Sequence, residues 1–256
     1  MLILVMGFLY LPIFVLVGNS FNLSQFGGEW AGFTLKWDEV LFSARNREIW
    51  IAFERSLVVA ATATVGSCIL GTTAAMALHR WKDRLQTTHY SLIYTPLVMP
   101  EILMGISLLM MFTAIGMQCG MLTIMIAHIT FCVSYVTMTV LARLQDFDDR
   151  ITEAAYDLGA GPFYTFFHVT LPILMPGIIA GGLLAFTLSI DDFVITFFVT
   201  GPGADTLPLK IYSMIKHSRQ MPVINSLSTL MLVFTCVLVG ISRFVANHKT
   251  NRHFKK

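Results

Sequence analysis

The amino-acid sequence predicts an all-α polytopic membrane protein with six transmembrane helices. Hydrophobic residues make up 55% of the chain and charged residues only 12%, whereas a water-soluble domain carries about 25% charged residues. The mean hydropathy of +0.71 agrees with that composition. The net charge of +2 is too small to indicate a nucleic-acid partner. The lipid bilayer is therefore the expected environment.

The apolar residues fall into six runs that approach the roughly 20 residues needed to cross a bilayer. They cover about 2–19, 56–78, 90–113, 121–142, 177–199 and 226–246. The first run has no basic segment before it and no small-residue cleavage site after it, which favours a retained helix over a signal peptide. A truncated or misassigned start is the alternative. We expect a single transmembrane domain over residues 1–256.

The basic residues indicate an orientation for these spans. If the segment 143–176 is cytoplasmic, ten Lys and Arg lie on the inner side and seven on the outer side. The basic tail after Arg243 is the strongest single contribution. An even number of spans then places both termini in the cytoplasm.

One polar-edged segment, EAAYDLGAGPFYTFFHVTLP at 153–172, predicts two short helices separated by a glycine. Asp148 or Asp149 is suited to cap the first helix, and Gly159 suits its left-handed C-terminal position. Such a knuckle is suited to docking into a groove of another protein. A structured loop between two membrane helices is the alternative interpretation.

Proline residues set the expected limits of the second short helix. Pro162 fits its first turn. Pro172 and Pro176 are expected to end it and to lead into the next apolar run.

Carboxylates inside a membrane span are costly, so they are candidates for function. Asp191 and Asp192 follow Gly177 by about 21–23 Å along a helix, which predicts the outer third of the fifth span. Small residues recur every fourth position on this span, which favours close helix packing, and they are Gly177, Gly181, Ala185 and Ser189. Because Ser189 continues this face, at least one of the two aspartates should point into the protein. A cation pathway and a structurally satisfied aspartate are both compatible with the pattern.

Glu101 follows Pro100 in the third span, near the expected middle of the membrane. Pro96 and Pro100 should kink or break this helix and free backbone carbonyl groups. A broken helix beside a carboxylate is a recurring way to build a transport site. A kinked helix whose glutamate reaches the interface is the alternative.

Other polar and sulfur-containing residues carry less information. His128 stands alone in the fourth span and is expected to be a hydrogen-bonded packing residue. The four cysteines are scattered singly and predict neither a disulfide framework nor a metal site. The sequence contains no nucleotide-binding Gly-Lys segment, HExxH or GxSxG motif. No catalytic residue and no bound cofactor are predicted, so energy must come from a partner or from an ion gradient.

The segment 153–172 resembles the EAA loop of permease subunits of binding-protein-dependent ABC importers. Glu153, Ala154 and Ala155 are followed after three residues by Gly159, and after nine more by a Val-x-Leu-Pro sequence where that family usually has Ile-x-Leu-Pro. The resemblance implies a type I importer (MetI-like) fold and a cytoplasmic coupling loop at 143–176 that seats in the ATPase. The implied coupling residues are Glu153, Ala154, Ala155, Asp157, Gly159, Leu171 and Pro172.

Further segments look like the C-type permeases of spermidine/putrescine ABC importers. They include LSIDDFVITFFVTGPGADTLPLKIYSMIK, LPIFVLVGNSFN and AHITFCVSYV. The resemblance implies a bacterial inner-membrane subunit that pairs with a second, homologous permease, a cytoplasmic ATPase dimer that holds the ATP and Mg²⁺, and an extracytoplasmic polyamine-binding protein. The expected substrate-pathway residues are Asp191, Asp192, Ser189, Glu101 and Trp37. Trp37 lies in the long outer loop, where an interfacial tryptophan is the alternative.

Three other functions are open from the sequence alone. One is an ABC importer for another solute, such as a cationic amino acid or ferric iron. A second is a proton-coupled secondary transporter in which Asp191, Asp192 and Glu101 carry protons. The third, ranked last, is an intramembrane enzyme.

Overall fold

The computed structural model describes residues 1–24, 29–80, 84–217 and 221–253. Its α-helices, in chain order, are α1 (Leu2–Ser20), α2 (Lys36–Leu41), α3 (Arg47–Arg80), α4 (Gln86–Val98), α5 (Glu101–Ala114), α6 (Met121–Gln145), α7 (Arg150–Asp157), α8 (Pro162–Thr165), α9 (Leu171–Asp191), α10 (Val194–Val199), α11 (Leu207–His217) and α12 (Met221–His253). A 3-10 turn covers Ala44–Asn46, and a π-helical segment covers Phe166–Thr170. Among the described residues, β structure is limited to one isolated bridge between Asn22 and Phe33.

Each of the six predicted spans has a helical counterpart. In the described residues, three helical stretches are long and apolar enough to cross a membrane, namely Arg47–Arg80, Met121–Gln145 and Pro162–Asp191. Helices α4 and α5 qualify together as a fourth, bent span. The first and last predicted spans correspond to the shorter apolar stretches Leu4–Ser20 and Met221–Val237.

The chain divides into two compact units, and the prediction of a single domain stays a prediction. The first unit is Met1–Phe53 with Leu207–Lys256. In it, α1 packs against α12, and a small apolar core forms around Leu41, Ile49 and Leu227. Lys210 and Glu48 form an ion pair in this unit, and the Ser226 hydroxyl donates a hydrogen bond to Asp38 Oδ1.

The second unit, Glu54–Thr206, is built on the packing of α9 against α6. The small residues predicted on the fifth span form this contact. A Cβ placed on Gly177 would lie 3.0 Å from Arg143 Cβ, and one on Gly181 would lie 3.2 Å from the Cα of Val136. The backbones therefore approach more closely than larger side chains would allow, which confirms the expected role of the stripe.

Two membrane-spanning segments of this unit are broken. Helices α4 and α5 meet at 111° across Met99 and Pro100, as the prolines predicted. The fifth span was predicted as one helix to residue 199, and this is wrong. Helix α9 ends at Asp191, and Asp192 is extended, with φ −65° and ψ 126°, before α10 begins.

The prediction that Pro172 and Pro176 end the helix that starts at Pro162 is also wrong. The chain stays helical from Pro162 to Asp191. Pro172 has no N–H to donate to the carbonyl of His168, and the π-helical turn just before it accommodates that missing bond. Packing on α6 then carries the helix through Pro176.

Candidate functional site: a cavity between two helix breaks

The two helix breaks of the second unit face one cavity of about 490 Å³. Met99, Pro100 and Glu101 contribute the wall from the α4–α5 break, and Asp191, Asp192 and Phe193 contribute the wall from the α9–α10 break. Apart from Thr187, the remaining wall is apolar and aromatic, including Phe131 and Tyr135 of α6. The structure thus brings together three of the five predicted substrate-pathway residues, Glu101, Asp191 and Asp192.

The carboxylate of Asp192 turns inward and caps α10. Its Oδ2 accepts hydrogen bonds from the backbone N–H and the hydroxyl of Thr196, both at 2.8 Å. Its Oδ1 accepts a longer bond of 3.3 Å from the N–H of Ile195. These backbone donors belong to the first turn of α10 and would otherwise have no partner, so the carboxylate satisfies a helix N-terminus. The Asp192 side chain is only 5% exposed.

His128 completes this buried polar cluster. Its Nδ1 lies 2.7 Å from the Ser189 hydroxyl and its Nε2 lies 2.9 Å from the Thr196 hydroxyl. The same Nε2 is 3.3 Å from Asp192 Oδ2. The imidazole is 1% exposed and packs edge-on against Phe131. The expectation of a hydrogen-bonded packing histidine is met.

Asp191 differs from Asp192 in its exposure and in its lack of hydrogen bonds. It is an exposed residue on the cavity wall, and among the described residues its carboxylate has no hydrogen-bond or ion-pair partner. Glu101, the first residue of α5, is likewise exposed on that wall without a described partner. Two unpaired carboxylates thus line a largely apolar cavity, which gives it the character of a cation site.

Trp37 belongs to the first compact unit. Its indole N–H donates a hydrogen bond of 2.8 Å to the carbonyl of Asn22, and the Lys36 ammonium lies 5.6 Å from its ring centre. The indole N–H is therefore already bonded to Asn22, and the ring already has the Lys36 ammonium close to it. Its assignment to the substrate pathway stays a prediction.

The EAA segment forms the expected helix, turn and second helix. Helix α7 carries Glu153, Ala154, Ala155 and Asp157, all exposed apart from the half-buried Ala155. Gly159 has φ +84°, and its N–H bonds to Tyr156 O while that of Ala160 bonds to Ala155 O. This pair of bonds is a Schellman motif, which requires a left-handed residue at Gly159. The N–H of Arg150 bonds to the Asp148 side chain, so Asp148 supports the start of α7.

The same segment presents large apolar side chains on its surface. Leu158 is 89% exposed and Phe163 is 81% exposed. Leu171 and Pro172 open α9, directly after the π-helical turn. A second cavity, of about 420 Å³, separates α7 from the end of α3, where His79 Nε2 lies 3.8 Å from an Asp149 carboxylate oxygen. Among the residues described, no three His, Cys, Asp or Glu side chains are grouped as metal ligands.

Sequence patterns identified Ser189 as part of the small-residue face but did not predict its bond to His128. They also gave no role to Thr196, a threonine in an apolar run. The three side chains come from α9, α6 and α10, and no local spacing links them. The one available signal was that a histidine inside a span needs polar partners.

Comparison with known proteins agrees with this architecture. Residues 67–254 match the family of binding-protein-dependent transport system inner membrane components. The chain belongs to this family. It is therefore an inner-membrane component of a binding-protein-dependent transport system, and its family implies ATPase and binding-protein partners.

The chain is similar to two curated permeases of Escherichia coli K12. It is 42% identical over 244 residues to the spermidine/putrescine transport system permease protein PotC, which covers 95% of this chain and 91% of that protein. It is 44% identical over 253 residues to the putrescine transport system permease protein PotI, at 95% and 88% coverage.

Solved structures support the fold. A bacterial ABC transporter that imports the acidic polysaccharide alginate matches with a TM-score of 0.73 at 14% identity, covering 96% of this chain and 92% of that chain. The inward-facing MetNI methionine ABC transporter matches with a TM-score of 0.65 at 14% identity, covering 84% and 99%. The expected MetI-like permease fold is confirmed.

The different surroundings of the two aspartates predict different effects on stability. Asp192→Asn should lower the free energy of unfolding by about 2–3 kcal/mol, because the amide offers a donor to groups that are themselves donors. Asp191→Asn should change it by less than about 0.5 kcal/mol, as expected at a position without bonded partners. Thermal unfolding of the detergent-solubilised subunit measures both. Equal melting temperatures for the two variants would contradict the assigned roles.

Proposed function

We propose that this chain is the transmembrane permease subunit of an ABC importer for polyamines such as spermidine and putrescine. The observation that carries the proposal is the cavity at two helix breaks, with the unpaired carboxylates of Asp191 and Glu101 on its wall. The similarity to PotC and PotI, permeases of spermidine/putrescine and putrescine transport systems, supports the choice of substrate class.

The cavity suits a flexible diamine or triamine in both charge and polarity. A carboxylate and an ammonium about 4 Å apart attract by about 4 kcal/mol at an effective dielectric constant near 20. Two separated carboxylates therefore favour a solute with at least two ammonium groups over a monovalent cation. The rings of Phe131 and Tyr135 on the same wall offer apolar contact to the methylene chain and a cation–π contribution of about 0.5–2 kcal/mol.

The other predicted pathway residues take distinct parts in this proposal. Asp192 and Ser189 support the cavity wall without contacting the amine, since both side chains are hydrogen-bonded in the buried cluster. Trp37 is proposed to contact the amine on its way from the binding protein.

Energy reaches the cavity through the EAA segment. The exposed apolar surface around Leu158 and Phe163, next to Glu153 and Asp157, is suited to a groove on the ATPase. The coupling loop 143–176 and both termini are then cytoplasmic. The subunit itself is not an enzyme and binds no cofactor, because ATP and Mg²⁺ belong to the ATPase dimer. Closure of that dimer would draw the EAA loops together and open the cavity outward to a polyamine-binding protein.

The complete importer would contain a second, homologous permease beside this chain. An importer of another cationic solute would share this whole description except the substrate. A proton-coupled secondary transporter would instead use Asp191 and Glu101 as proton carriers and would need no ATPase. Uptake in liposomes without any ATPase would favour that second candidate.

Removal of the unpaired carboxylates should abolish recognition of the amine. We expect Asp191→Asn and Glu101→Gln each to lower the apparent affinity for putrescine uptake at least about tenfold, the equivalent of roughly 1.4 kcal/mol. The double variant should transport almost none. Initial uptake rates in cells that express the complete importer, at matched membrane levels, give the measurement. Glu54→Gln is the control, since this exposed carboxylate lies in α3, outside both the cavity wall and the coupling loop.

Near-normal uptake by the double variant would contradict the assignment of the cavity as a cation site. Normal uptake of a different cationic solute combined with no polyamine uptake by the unmodified importer would support the alternative importer.

The left-handed glycine of the EAA turn offers a test of coupling. Gly159→Val should cost at least about 1–2 kcal/mol at the turn, because a Cβ is disfavoured at φ +84°. The variant should reach the membrane but lose co-purification with the ATPase and lose uptake. Gly161→Val is the matched control, since Gly161 has φ −72° and a Cβ there meets no atom within 4 Å. A Gly159 variant that co-purifies and transports like the Gly161 variant would show that this turn does not couple.

A further inference from the structure

The buried cluster around His128 has a consequence for which aspartate meets the substrate. Asp191 and Asp192 are consecutive in the chain, yet one lines the cavity without a described partner and the other is engaged by several donors. Backbone capping alone accounts for two of these donors, the N–H groups of Ile195 and Thr196. The remaining contacts are the Thr196 hydroxyl, which donates to Oδ2 at 2.8 Å, and His128 Nε2, which lies 3.3 Å from Oδ2 and 2.9 Å from that hydroxyl.

Hydrogen positions in the cluster follow from its acceptors. An ionised Asp192 accepts only, so the Thr196 hydroxyl donates its one hydrogen to Oδ2 at 2.8 Å. The oxygen of that hydroxyl then accepts from His128 Nε2 at 2.9 Å, which places the imidazole hydrogen on Nε2. In the neutral ring Nδ1 is consequently an acceptor, and the Ser189 hydroxyl donates to it at 2.7 Å. Each group in this chain of bonds has one defined role.

This chain of bonds joins three helices at one point. Ser189 lies in α9, His128 in α6 and Thr196 in α10. The bonds run in one direction, from Ser189 through the imidazole and Thr196 to Asp192. Because the imidazole is 1% exposed, a side chain that lost its partner here would lack water as a substitute. The lowest-energy arrangement therefore keeps Asp192 turned inward.

We propose that His128 is the positioning residue that holds Asp192 inside the protein, so that Asp191 alone presents its carboxylate to the cavity from the α9–α10 break. The proposal rests on the proposed function for the role of Asp191, but the geometry it assigns to Asp192 does not. Without the donor at Nε2, the Thr196 hydroxyl loses the bond that orients it towards Asp192, and Asp192 loses its contact with the imidazole.

Two amide variants separate positioning from packing. The amide nitrogen of Gln lies as many bonds from Cα as Nε2 does, so His128→Gln keeps a donor towards Thr196 and Asp192. The amide nitrogen of Asn corresponds to Nδ1, so His128→Asn keeps a polar group near Ser189 only. Thr130→Val is the control on the same helix, because the exposed Thr130 hydroxyl bonds only to its own helix, at Ile126 O.

The first readout is the chemical accessibility of each carboxyl group. The complete importer in membranes is treated with a hydrophobic carbodiimide, and fragmentation mass spectrometry locates the modified residue. We expect modification of Asp191 but little of Asp192 in the unmodified protein, in His128→Gln and in Thr130→Val. In His128→Asn, modification of Asp192 should rise about fivefold or more, the scale of one lost hydrogen bond.

The second readout is the KM for putrescine uptake, compared with the maximal rate at matched membrane levels. His128→Asn should raise KM about fivefold through the misplaced second carboxylate, whereas His128→Gln should stay within about twofold. Equal behaviour of the Gln and Asn variants in both readouts would overturn the inference and leave His128 a packing residue. If instead Asp191→Asn transports normally, the proposed function fails, while the carbodiimide pattern still decides where His128 holds Asp192.

Discussion

The arrangement of the second unit depends on how the chain satisfies the backbone where α9 stops. A helix interrupted inside a membrane leaves N–H and C=O groups that lipid cannot satisfy. The Asp192 carboxylate accepts hydrogen bonds from the backbone N–H groups of Ile195 and Thr196 in α10. It also accepts one from the Thr196 hydroxyl, which is itself bonded to His128 Nε2. One acidic side chain therefore makes the break possible.

The α9–α10 break forms a cavity because the α4–α5 break faces it. The α4–α5 junction turns by 111° at Met99 and Pro100 and brings Glu101 to the same cavity as Asp191. Close packing of α6 on the glycine face of α9 fixes the position of the second wall. Both walls of the cavity thus carry a carboxylate, as the proposed recognition of a solute with two positive charges requires. One continuous helical stretch, Pro162–Asp191, joins the EAA segment to the cavity wall, and it is the route that the proposed coupling to the ATPase would use.

Composition and spacing predicted the parts of this structure that obey local rules. The apolar runs, the small-residue face of α9, the proline break before Glu101 and the left-handed Gly159 all follow from residue types at fixed intervals. The resemblance of the EAA segment identified the family, and the family assignment confirms it.

The end of α9 at Asp191 could not be predicted in this way, because FTLSIDDFVITFF contains neither proline nor glycine. The ends of the break are held by local bonds from Ile195 and Thr196 to Asp192 and by long-range bonds from His128 to Ser189 and Thr196. For the same reason sequence patterns did not distinguish the two aspartates. The structure exposes Asp191 on the cavity wall and holds the Asp192 side chain in the buried cluster. The continuation of the helix through Pro172 and Pro176 was missed because a π-helical turn and packing on α6 outweigh the usual effect of proline.

In the proposed importer the amine binds to Asp191 and Glu101 while Asp192 stays with its protein partners. A structure of the complete importer with a trapped polyamine tests this most directly. We expect amine nitrogens within about 3 Å of the Asp191 and Glu101 carboxylates, with the bonds of Asp192 to Thr196 intact. An amine bound to an Asp192 that has left His128 and Thr196, or bound away from this cavity, would contradict it.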